Sequence, residues 1–543
     1  MSNVKDFHME TFSNPYYGFI NDFAQSEYES AKLLGKFYTD YNVAEEMIGR
    51  VVSEISLHVH KNILRIIDPF CGDGRLILKL LQAISQDKNY ETLLIEVYLW
   101  DIDEVAVENA KIAVLDFVRH NNINAKIIAE KTDAFVSCFS VEESYDICVT
   151  NPPWGLLKPL KLFNSRCGDN ELDRYKTSIA AYDDYMRQEF MISQPTSKFG
   201  KWGTNLGRCG LEVALRLISA DGVCGFVSSA SLFNDQVSVP FREWIFNQFS
   251  LRSISYFPAE LKLYGSADVS SITAVVKTGR TEKIDIRIYD KNFKYCESKL
   301  QNADLEYVKD NDYLIPLEFG IESLKLQMQW DSLVSLEEYC ATNGLHFVRE
   351  LDETRLEEKV CSNGVYTFSK GYMVNKYTFV PDNMFVDEKN VEIPKTAQYA
   401  KIVWRDVSRN SQKRRVKATL LPENCVAGNS LGAIYSEHND KELLKVLLAV
   451  MNSYVFEFQA RKQLVSNHVP VGVVRKIKIP LLSKDRELIS LVECKLNGQD
   501  VEHDIEVYVA KMYGLKWEEF LNIISTFKED KKILELLKQK WFA

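Results

Sequence analysis

Between residues 63 and 150 short apolar runs alternate with stretches whose apolar positions return every three or four residues, the periods of buried strands and amphipathic helices. Ile63-Leu64-Arg65-Ile66-Ile67-Asp68 predicts a first strand, and Leu76-Ile77-Leu78-Lys79-Leu80-Leu81 a helix after it. Leu93 to Asp101 and Lys126 to Phe135 predict two more strands, with a helix over Glu104 to Val118 between them. Tyr145-Asp146-Ile147-Cys148-Val149 predicts a fourth strand, which Pro152 and Pro153 must end because neither can donate a ladder hydrogen bond. Strands alternating with helices indicate a parallel sheet, so the expected class is α/β and Rossmann-like. Farther on, Leu211 to Ile218 predicts an amphipathic helix and Asp221 to Ser229 a turn feeding another buried strand.

The side chains at the strand ends add chemistry to this outline. In open α/β sheets ligands bind at the carboxyl ends of the strands, and here those ends carry Asp68, Asp101, Asp133 and Asn151. Gly72 and Gly74 follow Asp68 and let the backbone approach a ligand closely, while Ile77 stands where a dinucleotide fingerprint would carry its third glycine, which disfavours a nicotinamide cofactor. Asp68 suits an amino group held through a water, Asp101 suits a ribose diol, Ile102 suits the flat face of an adenine, and Asp133 suits an adenine amino group. Acids at strand ends also simply cap turns and helices, but three in succession before Asn151 are more than capping demands.

Asn151-Pro152-Pro153-Trp154 is the corner where a reaction is expected. The Asn151 side-chain oxygen and the Pro152 carbonyl are both acceptors and can take the two hydrogens of one exocyclic amino group. Held out of its natural plane, that nitrogen regains a lone pair for attack on an electrophile, with Trp154 stacked on the ring. A Pro-Pro turn closed by a core tryptophan would use the same four letters.

Composition narrows the setting. At 543 residues the chain has room for roughly two to four domains, and its 46% hydrophobic and 26% charged residues are ordinary for globular proteins. The 11 cysteines contain no C-x-x-C pair or metal-ligand spacing, so reduced thiols and no metal site are expected. No leader and no membrane-length apolar run is read, and the expected location is the cytoplasm. A net charge of -10 opposes a generally basic nucleic-acid coat, which leaves local positive patches to be sought.

Upstream, Phe37-Tyr38-Thr39 precedes a stretch in which Asn42 and Glu45 have capping-box spacing. This element, the Asp68-Pro69-Phe70-Cys71-Gly72-Asp73-Gly74 turn, the acidic strand ends and Asn-Pro-Pro-Trp resemble, in that order, the S-adenosylmethionine-dependent N6-adenine DNA methyltransferases of the TaqI-like (gamma) class. The resemblance is specific over residues 34 to 280 and softer after 330. It implies that Phe37, Tyr38 and Thr39 close over the methionine end of the cofactor, that Asp68, Pro69, Cys71, Gly72 and Gly74 cradle it, and that Asp101, Ile102, Asp133 and Ala134 hold its adenosine. Asn151, Pro152, Pro153 and Trp154 would then hold the target base. Trp154 replaces the Tyr more usual there, keeping a stacking surface and losing a hydroxyl. The second aromatic face is assigned to Phe257, with Tyr256 as the rival and a core role open for either.

The resemblance also implies that a C-terminal mixed α+β target-recognition domain reads double-stranded DNA, in a monomer of a bacterial restriction-modification system with a cognate endonuclease. Alternatives are an amino-methyltransferase of RNA or protein glutamine, and a fused endonuclease-methyltransferase. The expected division is an arm over residues 1–33, a catalytic domain over 34–280, a connection over 281–330, recognition over 331–495 and a helical tail over 496–543. The run from Lys401 to Lys417 is markedly basic, and Trp404, Arg405, Arg409, Lys413, Arg414 and Arg415 are its candidate DNA contacts. Asn429, Ser430, Asn467 and His468 join them, and a solvated basic loop is the alternative. The polar stretch between Trp154 and Leu211, with Lys158, Lys161, Arg166, Lys198 and Lys201, is either a loop closing on extruded DNA or a surface insertion.

Overall fold

β1 (Ile63–Asp68) is the third strand from one edge of a nine-stranded sheet in which the chain order reverses beside it. From β1 the chain runs outward through β2 (Leu94–Asp101) and β3 (Ala125–Lys131), all parallel, then returns to β1's other side as β4 (Tyr145–Thr150). Such a reversal opens a crevice between the two halves at the carboxyl ends of the strands. This computed structural model describes residues 17–543 except 19, 21, 23, 56–61, 161–163, 195–202, 265–268, 353–359, 410–411 and 465–466. The expected Lys161, Lys198 and Lys201 therefore lie outside the described residues, as do Asn410, Ser411 and Ser466 of the stretches expected to meet DNA.

Helices α1 (Glu27–Leu34), α2 (Tyr41–Glu54), α3 (Arg75–Ile84) and α4 (Glu104–His120) surround the early strands. Met47 and Val51 of α2, Leu76 and Leu80 of α3, and Ala110 and Val114 of α4 share one core with Ile66, Val97 and Ile147. Asp40, and not Asn42, caps α2: its Oδ1 accepts the Asn42 amide at 2.8 Å. The third strand ends earlier than the apolar pattern suggests, because Asp133 caps the short helix α5 (Ala134–Ser137) by accepting the Phe135 amide at 3.0 Å. β5 (Leu156–Leu157) and β6 (Thr204–Asn205) pair across the stretch that contains α6 (Asp169–Glu189). α7 (Leu206–Leu217) then packs against β4 and β7 (Ile218–Ser229).

The sheet does not end near residue 280. α8 (Val239–Gln248) leads into β8 (Phe249–Phe257), β9 (Ser271–Thr278) inserts antiparallel between β7 and β8, and β10 (Lys283–Tyr289) and β11 (Tyr295–Gln301) continue past β8. Lys283, Asp285 and Arg287 alternate with buried Ile284 and Ile286, so a strand with one solvated face reads as charged, irregular chain. The first compact unit accordingly runs to Ile321, and the expected connecting region 281–330 belongs mostly to it.

The second unit spans Glu322–Ala543. Strands Leu345–Val348, Leu431–Ser436, Lys401–Arg405 and Ala418–Leu421 form an antiparallel sheet. Farther along, Val471–Lys476 is a helix and Lys478–Ile479 a short strand. The helical tail includes Glu502–Met512 and Trp517–Ser525, between which Gly514 takes φ +71°. No single helix among the described residues is long and apolar enough to cross a membrane.

Candidate functional site

The ends of β1, β2 and β4 and the start of α5 open on one cavity, whose lining includes Asp68, Asp101, Asp133 and Asn151. Asp68 is fully buried at the end of β1, where its Oδ1 accepts the Thr150 hydroxyl at 2.8 Å and the Phe70 amide at 3.1 Å. Burial pushes its carboxyl up to about 7, and these two hydrogen bonds act in the opposite sense. Asp101 accepts the Gly72 amide at 3.0 Å and the Asp103 amide at 2.9 Å, one on each oxygen. Burial raises it above the ordinary carboxylate range as well. Cys71 lines the same wall, and burial with Asp68 and Asp101 nearby pushes its thiol far up, which keeps it protonated.

Pro69, Gly72, Ile102 and Ala134 line the cavity with Phe37, Tyr38 and Thr39. Gly72 takes φ +51° and passes under the Tyr38 ring, whose Cε1 would lie 3.2 Å from a Cβ there. Gly74 takes φ +78° against Ala110 of α4. Arg75, which the motif did not single out, ties this wall together. It donates to the Thr39 carbonyl at 2.6 Å, pairs with Asp73 at 2.6 Å and lies over the Tyr38 ring at 5.0 Å. Lys36 pairs with Asp103 at 2.8 Å on the same rim. An arginine directly after the glycine turn is visible in sequence, but nothing local tells which carbonyl it reaches.

On the lining of the cavity, Asn151 Nδ2 donates to the Phe37 carbonyl at 2.6 Å and to Thr39 Oγ1 at 3.2 Å. These bonds fix the amide's orientation. Its Oδ1 is buried and has no hydrogen-bond partner among the described residues. An unpartnered buried acceptor costs about 1–3 kcal/mol, so the corner carries an oxygen that gains from any donor brought to it. Pro153 lines the cavity beside Asn151, whereas Pro152 and Trp154 stand outside its lining. Pro152 is held from behind by Gly210 of α7, where an added Cβ would sit 2.4 Å from the Pro152 Cβ.

Phe257, the expected second aromatic face, has its ring packed inside the protein. It is fully buried in a separate core with Val43 and stacks on Tyr289 at 4.7 Å. Its neighbour Tyr256 is buried too and donates to Ser270 Oγ at 3.1 Å. Successive strand residues face opposite sides of the sheet, so Phe257 turns to Val43 and Tyr289 while Tyr256 turns to Ser270. The ring that meets Trp154 is Tyr264, with centroids 4.6 Å apart, and Phe37 closes the cluster at 5.8 Å from Trp154 and 5.7 Å from Tyr264. Tyr264 carries no signal in the sequence because it lies in the connection after β8 and not in a patterned run.

In the second unit three of the expected DNA contacts, Trp404, Arg414 and Arg415, turn to internal partners. Trp404 is fully buried and donates from Nε1 to the Val469 carbonyl at 3.1 Å. Lys401, at the head of the basic run, pairs with Glu350 at 2.6 Å with both side chains fully buried. Arg414 pairs with Glu506 at 3.0 Å and lies 4.1 Å over the Tyr454 ring. Arg415 is buried and donates to the carbonyls of Leu464, Ser408 and His468. A run of cations in sequence is thus largely a set of buried ion pairs and backbone anchors. Of the others, Asn429 donates to Asp352 at 2.9 Å, Lys413 pairs with Glu529 at 3.3 Å, and His468 meets Asp406 at 2.8 Å. Arg409 and Asn467 are exposed. Arg405 and Ser430 line a surface cleft with Lys370, Tyr372 and Val407, in which Arg405 donates to the Gly371 and Tyr372 carbonyls.

Residues 8–191 match a family model described as N-6 DNA Methylase. The chain is also 30% identical over 129 residues to the Type II methyltransferase M.VspI of Vibrio sp. (strain 343), an alignment covering 23% of this chain and 27% of that protein. It therefore spans about a quarter of the length of that curated relative. Among solved structures, the type IIL restriction-modification enzyme MmeI in complex with DNA superposes with a TM-score of 0.52 at 11% identity, covering 98% of this chain and 79% of that chain. At that identity the likeness is one of fold.

Proposed function

We propose that this chain is an S-adenosylmethionine-dependent DNA methyltransferase that modifies the N6 amino group of an adenine swung out of duplex DNA, as the modification activity of a restriction-modification system. One observation carries the reading: Asn151, whose buried Oδ1 has no partner among the described residues, lines a cavity walled by carboxylates at successive strand ends. The family match over residues 8–191 supports it.

The residues present suit the cofactor. The Gly72 turn leaves its backbone open under Tyr38, and the cavity offers carboxylates for an ammonium, a diol and an aromatic amine. Asp68 would hold the ammonium, Asp101 the ribose and Asp133 the adenine amino group, with Ile102 against the ring and Phe37, Tyr38 and Thr39 over the methionine end. When bound, S-adenosylmethionine supplies an electrophilic methyl group on a cationic sulfur. Everything else is placement. Asn151 Oδ1 and the Pro152 carbonyl accept the two hydrogens of the target amino group, draw its lone pair out of the ring and aim it into the cavity. The Phe37 carbonyl and Thr39 hydroxyl keep the amide from rotating, so the oxygen and not the nitrogen faces the base. Trp154 and Tyr264 supply the aromatic faces.

The second unit is assigned to target recognition. Lys370, Tyr372, Arg405, Val407 and Ser430 around the surface cleft, with Arg409, are its proposed DNA contacts. Purified full-length protein with labelled S-adenosylmethionine and duplex DNA, RNA and protein acceptors provides the test. N6-methyladenine in the DNA alone is the expected product. Label in RNA guanine or in glutamine amides, with DNA untouched, sinks the reading.

A further inference from the structure

The stretch between β5 and β6 has so far been given no part in the chemistry, yet it sends two phenols to the wall of the cavity. Both come from α6. Tyr182 donates to Asp133 Oδ2 at 2.7 Å, and Tyr185 donates to the Phe135 carbonyl at 3.0 Å. Asp133 already receives the Phe135 amide on Oδ1 at 3.0 Å, so its two oxygens are held by donors from two different elements. Tyr182 is fully buried. Burial and the adjacent carboxylate keep its phenol well above the usual range, so the hydroxyl remains a donor.

A carboxylate held at one oxygen can still turn about its χ angles, whereas one held at both has its plane set. Each carboxylate oxygen can accept two hydrogens, so a donor inside the cavity meets an acceptor whose direction is set in advance. Asp133 lines that cavity and Tyr182 does not. We propose that Tyr182 is the positioning residue through which α6 makes Asp133 selective for the 6-amino group of the cofactor's adenine. The inference rests on the cavity being the S-adenosylmethionine site. It turns what reads as a surface insertion into a part of cofactor recognition.

Calorimetry on the full chain with S-adenosylhomocysteine and S-inosylhomocysteine, which carries a 6-oxo group instead of the amine, tests it. Wild type is expected to prefer the adenosyl probe. Tyr182→Phe is expected to cut that preference about fivefold, the size of one lost hydrogen bond, chiefly by weakening the adenosyl probe. Tyr175→Phe, on the same helix but with its hydroxyl at the Leu160 amide, should leave the preference unchanged. Equal weakening of both probes by Tyr182→Phe, or no change in the ratio, overturns the inference while leaving the cofactor reading in place. So does a Tyr182→Phe chain that no longer melts cooperatively, since Tyr182 would then be a structural residue. Wild type binding neither probe overturns the cofactor reading itself.

Discussion

Asn151 reaches across the first unit to the Phe37 carbonyl, its Nδ2 donating at 2.6 Å, and this bond fixes the orientation of the amide. The amide's other atom is left buried without a partner among the described residues, which is the arrangement an acceptor for an incoming amine requires.

Asn151→Ala is expected to lower methyl transfer by about 100-fold or more, as loss of a preorganised polar group at a reacting atom does. Cofactor affinity should change little, because the cavity walls are carried by other residues. Single-turnover transfer and calorimetry, run side by side, check the split; an active variant removes Asn151 from the chemistry.

The raised carboxyl of Asp68 gives the site a pH dependence with a definite sign. Below about 7 the group is protonated in the free protein and cannot pair with an ammonium; above about 7 it is a carboxylate. Binding of S-adenosylmethionine should therefore strengthen as pH rises toward 7, by up to about tenfold per pH unit, and level off beyond it. Asp68→Asn should flatten the curve. The same shift works against the free fold: stability linked to this group is full below the unfolded carboxyl range and is lost as pH rises through about 7. Titration calorimetry and thermal melts across the range report both.

Trp154 and Tyr264 touch each other at 4.6 Å between centroids. A base sandwiched between two rings needs two contacts of about 3.5 Å, so the pair is expected to part when an extruded adenine enters. Tyr264→Ala should cost about tenfold in kcat/KM through lost stacking, while Phe257→Leu, altering a remote core, should lower thermal stability and spare transfer by the folded protein. Emission from Trp154, isolated by replacing the other tryptophans with phenylalanine, should shift on addition of duplex substrate; an unmoved spectrum with turnover intact counts against the parting.

Two arginines of the basic run are expected to behave oppositely. Arg414→Ala leaves buried Glu506 with Lys376 alone as ion partner, at 3.4 Å, and should destabilise the second unit by about 1–3 kcal/mol. Arg409→Ala should leave Tm unchanged, weaken DNA binding and reduce the salt slope by about one. Melts together with fluorescence anisotropy at several salt concentrations distinguish them, and weaker DNA binding by a folded Arg414→Ala protein at unchanged Tm would reverse the assignment.

What the order of residues determined by itself was local. Apolar period, two prolines and a run of strand-end acids specify strands, turns and helices because each depends on neighbours a few positions away. Asp68, Asp101, Asp133 and Asn151 could be found because their placement follows from where their own strands end. What only the tertiary structure decided was pairing across the chain. Tyr264 rather than Phe257 meets Trp154, Tyr182 reaches Asp133 from another element, and Glu350 and Glu506 take up cations that look free in sequence. Burial of a charge or direction of a ring is set by the partner that folding brings beside it, and that partner lies tens of residues or more away, beyond the reach of any local pattern.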